Sequence, residues 1–323
     1  MLHTFGTLLH ECAVAYRTGT GNPAITSLAY DSRQVEPGSL FIAMRGFHVD
    51  GHRFIEQAIQ RGAAAVVYED PHWDTRLSVP GARVSDARVA LAPLASAFYD
   101  VPGRALRVVG ITGTDGKTTT TALTTVALEA AGHRTGMIGT VDFKIGSERW
   151  ANETRQSTPE APDVQYMLRR MVDAGCTYAV IEATSHALSA RWNRLGGCAF
   201  DVAVLTNVTH EHLDYHGSVE QYRRDKARLF EMLGDEPGDA EHAHKRRKYA
   251  IVNADDPHHG LFLAAAPPAA ERFTYAVQQA ADVRAGQVRA SREGLQFEVA
   301  TPWGQRHVQL RLTGDFNVHN SLA

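Results

Sequence analysis

The stretch Gly110-Ile111-Thr112-Gly113-Thr114-Asp115-Gly116-Lys117-Thr118-Thr119 gathers the residue types that bind phosphate. An apolar run, Leu106 to Ile111, leads into it, and a threonine- and alanine-rich segment, Thr118 to Ala131, follows. Strand, glycine loop and helix in that order form the setting of a P-loop. The glycines let backbone N–H groups turn inward as an anion nest, and the helix behind adds its positive end. In such a loop Lys117 reaches the β- and γ-phosphates and the Thr118 hydroxyl holds Mg²⁺, while Thr112, Gly113, Thr114, Asp115, Gly116 and Thr119 shape the cradle. From Gly110 five residues precede Gly-Lys-Thr where the usual motif has four, so Gly113 opens a compact version, T-G-T-D-G-K-T-T.

Two more stretches carry reactive groups. Thr206 to Gly217 contains His210, His212, Asp214 and His216, and a helix follows from Ser218, where Ser218 and Gln221 read as a capping box. On that helix Val219, Tyr222, Lys226, Leu229 and Phe230 share one face. Lys226 is thus a lysine on an apolar face. One account is a snorkelling stem with a wet ammonium. The other is a partly buried amine with a lowered pKa, able to take up CO₂ as a carbamate, an anionic oxygen ligand suited to Mg²⁺. The histidines with Asp214 also allow a zinc hydrolase site, although no known zinc spacing is reproduced. The third stretch is Glu182-Ala183-Thr184-Ser185-His186-Ala187-Leu188, where a carboxylate at a strand end can hold a metal ion that bridges nucleotide and acceptor.

The elements that must position these groups alternate from Arg104 onward. Strands read at Leu106–Ile111, Thr135–Val141, Thr177–Ile181, Asp201–Thr206 and Tyr249–Asn253, several followed by helices, which predicts a parallel sheet covered on both faces. Ligands of such sheets sit at the carboxyl ends of the strands, where the loop, Glu182, Asn207, His210 and Asn253 all fall. Thr158 is expected as the N-cap of a helix with Pro159 at its first position. Gly234 to Lys248 reads as a solvated polar loop. Phe273–Ala276, Val283–Ser291, Gly294–Ala300 and His307–Leu312 read as a small antiparallel appendage. Residues 1–101 form a separate unit, with strands at Ser39–Met44 and Ala63–Tyr68 and helices at Gly51–Gln60 and Asp86–Tyr99.

The whole chain has 323 residues, 44% of them hydrophobic, enough for about two domains. A net charge of -3 gives no field for nucleic acid or anionic membranes. Cys12, Cys176 and Cys198 are scattered, which fits a reducing cytoplasm. No leader peptide and no membrane span are expected.

In combination, the compact loop, the Glu182 stretch, the fourteen-residue step from His212 to Lys226 and Gly314-Asp315-Phe316-Asn317-Val318-His319-Asn320 resemble the Mur ligase family. The closest resemblance is to the type that adds the third peptide residue of the peptidoglycan precursor (the MurE type). It implies an α/β fold: a UDP-precursor domain at 1–101, a central P-loop parallel-sheet ATPase domain with the appendage at 102–313, and the start of a linker at 314–323. The family's C-terminal domain has no counterpart within these residues. The resemblance places Tyr30, Ser32, Phe47, His48 and Val49 on UDP, and Gln156, Ser157, Thr158 and Thr184 on the sugar and peptide. Arg194 matches a substrate-binding arginine, with Arg191 as a rival, and Trp192 stands where a glutamine is frequent. Asn253, Asn317 and Asn320 fall on the ATP side. Two Mg²⁺ ions are implied, one on Thr118 and Glu182, the other on His212 and carbamylated Lys226.

The implied reaction is ATP-dependent ligation of diaminopimelate or lysine to UDP-N-acetylmuramoyl-L-alanyl-D-glutamate by a cytoplasmic monomer, with no nucleic acid or membrane partner. Residues 1–323 alone are expected to bind the ligands without ligating. A binding module that never ligates is the alternative of a different class.

Overall fold

The computed structural model describes residues 3–46, 49–154, 156–209, 217–235 and 243–323. They form two compact units. One comprises Met1–Val101, Ala161–Tyr166 and Ala190–Gly197; the other comprises Pro102–Glu160, Met167–Ser189 and Cys198–Ala323.

The first unit is built on a sheet ordered Val14–Thr18, Gly81–Val84, Ala65–Tyr68, Ser39–Ile42, Ser27–Ala29. All neighbours are parallel except the edge strand Val14–Thr18. Ser39–Ile42 and Ala65–Tyr68 are buried at every position, the signature of parallel strands covered on both faces. Leu40, Ile42 and Val67 pack with Leu91 and Leu94 of the helix Ala87–Phe98; Phe41, Val66 and Tyr68 pack with Ile55 and Ala58 on the other side. Asp86 caps the helix Ala87–Phe98 by accepting from Arg88 and Val89 N–H, and Pro93 lies inside it. The helix expected from Gly51 starts as a 3-10 turn, Gly51–Phe54, and becomes α-helical only over Ile55–Gln60.

The second unit carries an eleven-stranded sheet. Its order is Glu148–Ala151, Asp142–Ile145, Thr135–Ile138, Tyr178–Glu182, Arg107–Thr112, Val202–Leu205, Tyr249–Asn253, Glu271–Ala276, Val283–Ser291, Gly294–Thr301, Gly304–Leu310. The strands from Thr135–Ile138 to Val283–Ser291 run parallel, as the alternation predicts. Three readings need correction. The strand expected to reach Val141 stops at Ile138, and the chain folds back in an antiparallel hairpin over 142–151 that turns at Gly146, φ +58°. The strand near Phe273 belongs to the parallel sheet rather than the antiparallel appendage: Glu271–Ala276 pairs parallel with Tyr249–Asn253, because the helix His259–Ala265 supplies the crossover that a parallel pair needs. The end of the polar segment 234–248 is anchored rather than solvated. Lys245 and Lys248 are buried and reach Asp201 at 2.6 and 3.2 Å, with further bonds to the carbonyls of Ala199 and Phe200. Among the described residues no helix is long and apolar enough to cross a membrane.

Candidate functional site

The glycine loop leaves the end of Arg107–Thr112 and enters the helix Lys117–Ala130 through Gly116, its left-handed N-cap. Gly113 and Gly116 have φ of +150° and +82°. A Cβ at Gly113 would overlap Thr206 Oγ1, and one at Gly116 would overlap Asn320 Oδ1, so both positions need glycine for conformation and for space. The neighbouring strand end braces the loop. Thr206 Oγ1 donates to Asp115 O at 2.6 Å, and Thr114 N donates to Asn207 O at 2.8 Å. The Asn207 side chain binds both backbone groups of Asp115, each at 3.1 Å. Asn207 was legible only as a residue at a strand end, not as a brace. Thr112 is the buried last residue of its strand, its carbonyl accepting from Thr206 N, and Thr119 lies in the first helical turn.

Two groups converge on this loop. Thr118 Oγ1 donates to both carboxylate oxygens of Glu182 at 3.1 Å, and Thr140 N donates to Glu182 Oε2 at 3.0 Å. Lys117 folds back, its Nζ donating to Thr114 O at 2.7 Å. From the helix Val219–Glu231, Lys226 is 1% exposed and donates from Nζ to Gly113 O at 2.6 Å. Its Nζ lies 4.5 Å from the centroid of the Tyr222 ring, whose hydroxyl is 3.1 Å from Thr114 Oγ1. The snorkelling account is therefore excluded and the buried lysine stands. The capping box is only half made: Ser218 Oγ accepts from Gln221 N, but the Gln221 amide donates to Asp225 instead of turning back. His210, His212, Asp214 and His216 lie outside the described residues. Among the described residues no three His, Cys, Asp or Glu side chains converge on one point.

Beside the loop lies a cavity of about 250 Å³ lined by Asp115, Gly116, Asn207, Asn253, Phe316, His319 and Asn320. Asn320 reaches it directly; Asn317 stands behind, accepting from Asn320 Nδ2 at 3.0 Å and donating to Thr313 O. The Asn253 amide is engaged by the protein, donating to Thr206 O and accepting from Asp255 N. His319 is a residue that the sequence reading did not single out, and its Nε2 lies 2.9 Å from Asp255 Oδ2. Burial pushes the Asp255 carboxyl up, but N–H groups of Val277, Gln278 and Gln279, with His319, outweigh it and hold the acid below its ordinary range. A histidine next to the second asparagine, far from any other cluster, was the signal available.

The first unit has its own cavity, about 630 Å³, with Tyr30, Ser32, Val49, Phe54, Gln57 and Arg88 in its wall. Tyr30 OH donates to Asp163 at 3.4 Å, and Ser32 Oγ donates to Gln57 Oε1 at 3.1 Å. Val49 is exposed. Phe47 and His48 lie outside the described residues. The hydrogen bond from Arg33 holds the Asp31 carboxyl below its usual range. Arg194 is 7% exposed beside the ring of Trp192, whereas Arg191 is exposed.

In the second unit, Gln156 and Ser157 lie on the turn before Thr158, and Gln156 O accepts from Asn152 Nδ2 at 2.8 Å. Thr158 is not the N-cap. The helix Ala161–Asp173 begins after Glu160, and buried Thr158 donates to Glu182 O at 2.7 Å, 3.3 Å from Thr184 Oγ1. The backbone of the Glu182 strand has outcompeted the local cap. Thr184 in turn caps the short helix Ser185–Leu188.

The sequence model of the Mur ligase middle domain matches residues 111–323, and that of the Mur ligase family, catalytic domain, matches residues 24–99. The chain is 67% identical over 316 residues to a UDP-N-acetylmuramyl-tripeptide synthetase of Roseiflexus sp. (strain RS-1), covering 98% of this chain and 62% of that protein. It is 43% identical over 305 residues to a UDP-N-acetylmuramoyl-L-alanyl-D-glutamate--2,6-diaminopimelate ligase of Geobacillus kaustophilus (strain HTA426), covering 94% of this chain and 59% of that one. A solved structure of a UDP-N-acetylmuramoyl-L-alanyl-D-glutamate--2,6-diaminopimelate ligase matches at a TM-score of 0.81 and 28% identity, over 100% of this chain and 62% of that chain. The chain thus spans about three fifths of the length of these relatives.

Proposed function

The chain belongs to the Mur ligase family, and from that premise we propose that it serves ATP-dependent ligation of an amino acid, diaminopimelate or lysine, to UDP-N-acetylmuramoyl-L-alanyl-D-glutamate. The observation that carries the reading is the convergence of Glu182 and Lys226, from a strand and a helix distant in sequence, on one glycine loop.

The residues fit ATP and a divalent cation. The two positive-φ glycines make the nest for the phosphates, and Thr118 with Glu182 is a hard oxygen pair of the kind Mg²⁺ takes. When bound, the metal ions supply charge neutralisation for phosphoryl transfer. Lys117 exchanges its bond to Thr114 O for phosphate oxygens. Glu182 is oriented by Thr140 N, and Thr158 holds the backbone beneath it. Lys226, as a carbamate, would hold a second Mg²⁺ with His212. Asn253 and Asn320 shape the wall on the base side, with Asn317 supporting Asn320 from behind. The γ-phosphoryl group passes to the glutamate side-chain carboxylate, giving an acyl phosphate and ADP. The incoming amine attacks that carbonyl, phosphate leaves, and the nitrogen loses its proton.

The first unit's cavity takes the UDP end through Tyr30, Ser32 and Val49, the resemblance adds Phe47 and His48 to that set, and Gln156, Ser157, Thr158, Thr184 and Arg194 serve the sugar and peptide. The scattered cysteines support a cytoplasmic setting. The test is a ligation assay with precursor, ATP and either amino acid, read by mass of the UDP product, beside calorimetric binding of ATP–Mg²⁺ and precursor. Residues 1–323 alone are expected to bind both without product, because positioning of the amine can be worth ~7–11 kcal/mol of the barrier. Ordinary turnover from these residues would overturn that expectation. Absence of binding to either ligand would overturn the whole reading.

A further inference from the structure

Arg88 stands in the first turn of the helix Ala87–Phe98 and in the wall of the 630 Å³ cavity. Its guanidinium carbon lies 4.2 Å from the ring centroid of Trp192, and that of Arg194 lies 5.3 Å from the same ring. Trp192 is 8% exposed, so the indole is a fixed platform. A guanidinium this close to a ring face is attracted by it. An arginine that stacks on a ring does so with the face of its guanidinium, whereas the N–H fork works in the plane and matches phosphate oxygens. One of its nitrogens, Nη2, is 3.5 Å from Arg45 O, which ties the group to the start of the 45–50 segment. Five donors can serve this carbonyl and phosphate oxygens together.

The charges of the cavity point the same way. Among its described lining residues the formally charged ones are Asp31, Arg33 and Arg88. Asp31 and Arg33 pair with each other at 2.6 Å, and Arg88 adds a guanidinium to the wall. Phe41, Met44 and Phe54 offer an apolar floor beside the hydroxyls of Tyr30 and Ser32. Apolar floor, two hydroxyls and one cation complement a flat base, a ribose and an anionic group.

We propose that Arg88, aligned by Trp192, is a further binding residue for the diphosphate of the nucleotide sugar. The proposal rests on the reading of this cavity as the uridine nucleotide site. The experiment is calorimetric titration of uridine and UDP into residues 1–323, for the wild type, Arg88→Gln, Arg88→Lys and Trp192→Leu. Arg88→Gln is expected to weaken UDP by about tenfold or more, the loss of a charge-assisted bond, and to leave uridine within about twofold. Arg88→Lys keeps charge without the fork and should fall between; it carries the test if Arg88→Gln fails to fold. Trp192→Leu should weaken UDP in the same direction with uridine unchanged. Equal UDP affinity in the wild type and Arg88→Gln would overturn the role of Arg88. So would an equal loss for uridine and UDP, which marks general distortion. A wild type that binds neither ligand would instead sink the reading of the cavity beneath it, and the proposal with it.

Discussion

Lys226 Nζ and the carbonyl oxygen of Gly113 are 2.6 Å apart, which fastens a buried lysine to the glycine loop from a helix more than a hundred residues downstream. A carboxylated Lys226 keeps one N–H on Nζ that can still serve this carbonyl, and adds two anionic oxygens beside the loop. Native mass spectrometry in bicarbonate is expected to show one added carboxyl group, lost on acidification. In an active ligase, Lys226→Ala should lose turnover and regain part of it with short carboxylates. A bare ammonium at Lys226 in the presence of CO₂ and Mg²⁺ would refute the carbamate.

The loop glycines are expected to be intolerant of a single methyl group. Gly116→Ala forces a φ of +82° on alanine and meets Asn320; Gly113→Ala meets Thr206. Each strained backbone costs about 1–3 kcal/mol before the overlap is counted. Both variants should lose ATP–Mg²⁺ affinity and unfold at lower urea. Lys117→Ala should lose the affinity, by about tenfold or more, with little change in stability. Calorimetry and urea melts together separate the two classes, and unchanged ATP affinity in Lys117→Ala would refute the phosphate assignment.

Asn207→Ala removes two bonds that hold Asp115. At about 0.5–1.5 kcal/mol each, they should appear as weaker nucleotide binding and a modest loss of stability. An unaltered affinity would show that the loop keeps its shape without the brace.

Asp255 predicts a pH dependence of definite sign. Its folded-state acid is stronger than the ordinary value of 3.8, so its contribution to stability is present above that pH and is lost as pH falls through the lowered folded value. Asp255→Asn should therefore be less stable than wild type at neutral pH, and the gap should narrow below about pH 4. Stability measured by urea melts from pH 7 to 3 checks this; a constant gap would contradict it.

Asp201 carries two buried ammonium groups, of Lys245 and Lys248. Asp201→Ala strands both and should cost about 3–5 kcal/mol, read as a fall in the urea midpoint. A cost near that of a surface change would mean that the pairs contribute little.

What the sequence disclosed follows from the range of the interactions. The glycine loop was legible because strand, nest and helix N-terminus are contiguous. Lys226 was legible as a lysine on an apolar face because helical periodicity is local, but its landing on Gly113 O was not. Thr158 misled because its local capping chemistry lost to a carbonyl at Glu182. Lys245 and Lys248 misled because a run of charges reads as solvated until Asp201 is found to face it. The direction of Glu271–Ala276 depends on its crossover helix rather than on its own residues. Arg88 and Trp192 meet across about a hundred positions, and nothing in either neighbourhood announces the other.

The order of strands in the second unit also bears on how the protein is made. Arg107–Thr112 lies at the centre of the sheet, yet its two neighbours, Tyr178–Glu182 and Val202–Leu205, come much later in the chain. During synthesis the glycine loop therefore emerges long before the strands that fix its ends, and such distant pairing makes closure of the sheet slow. Thr206 and Asn207, which brace the loop, are completed only when Val202–Leu205 has docked. On the proposed reading, a nucleotide that binds the braced loop and not the unbraced one would, by mass action, draw late intermediates toward the finished sheet and so favour completed molecules during folding.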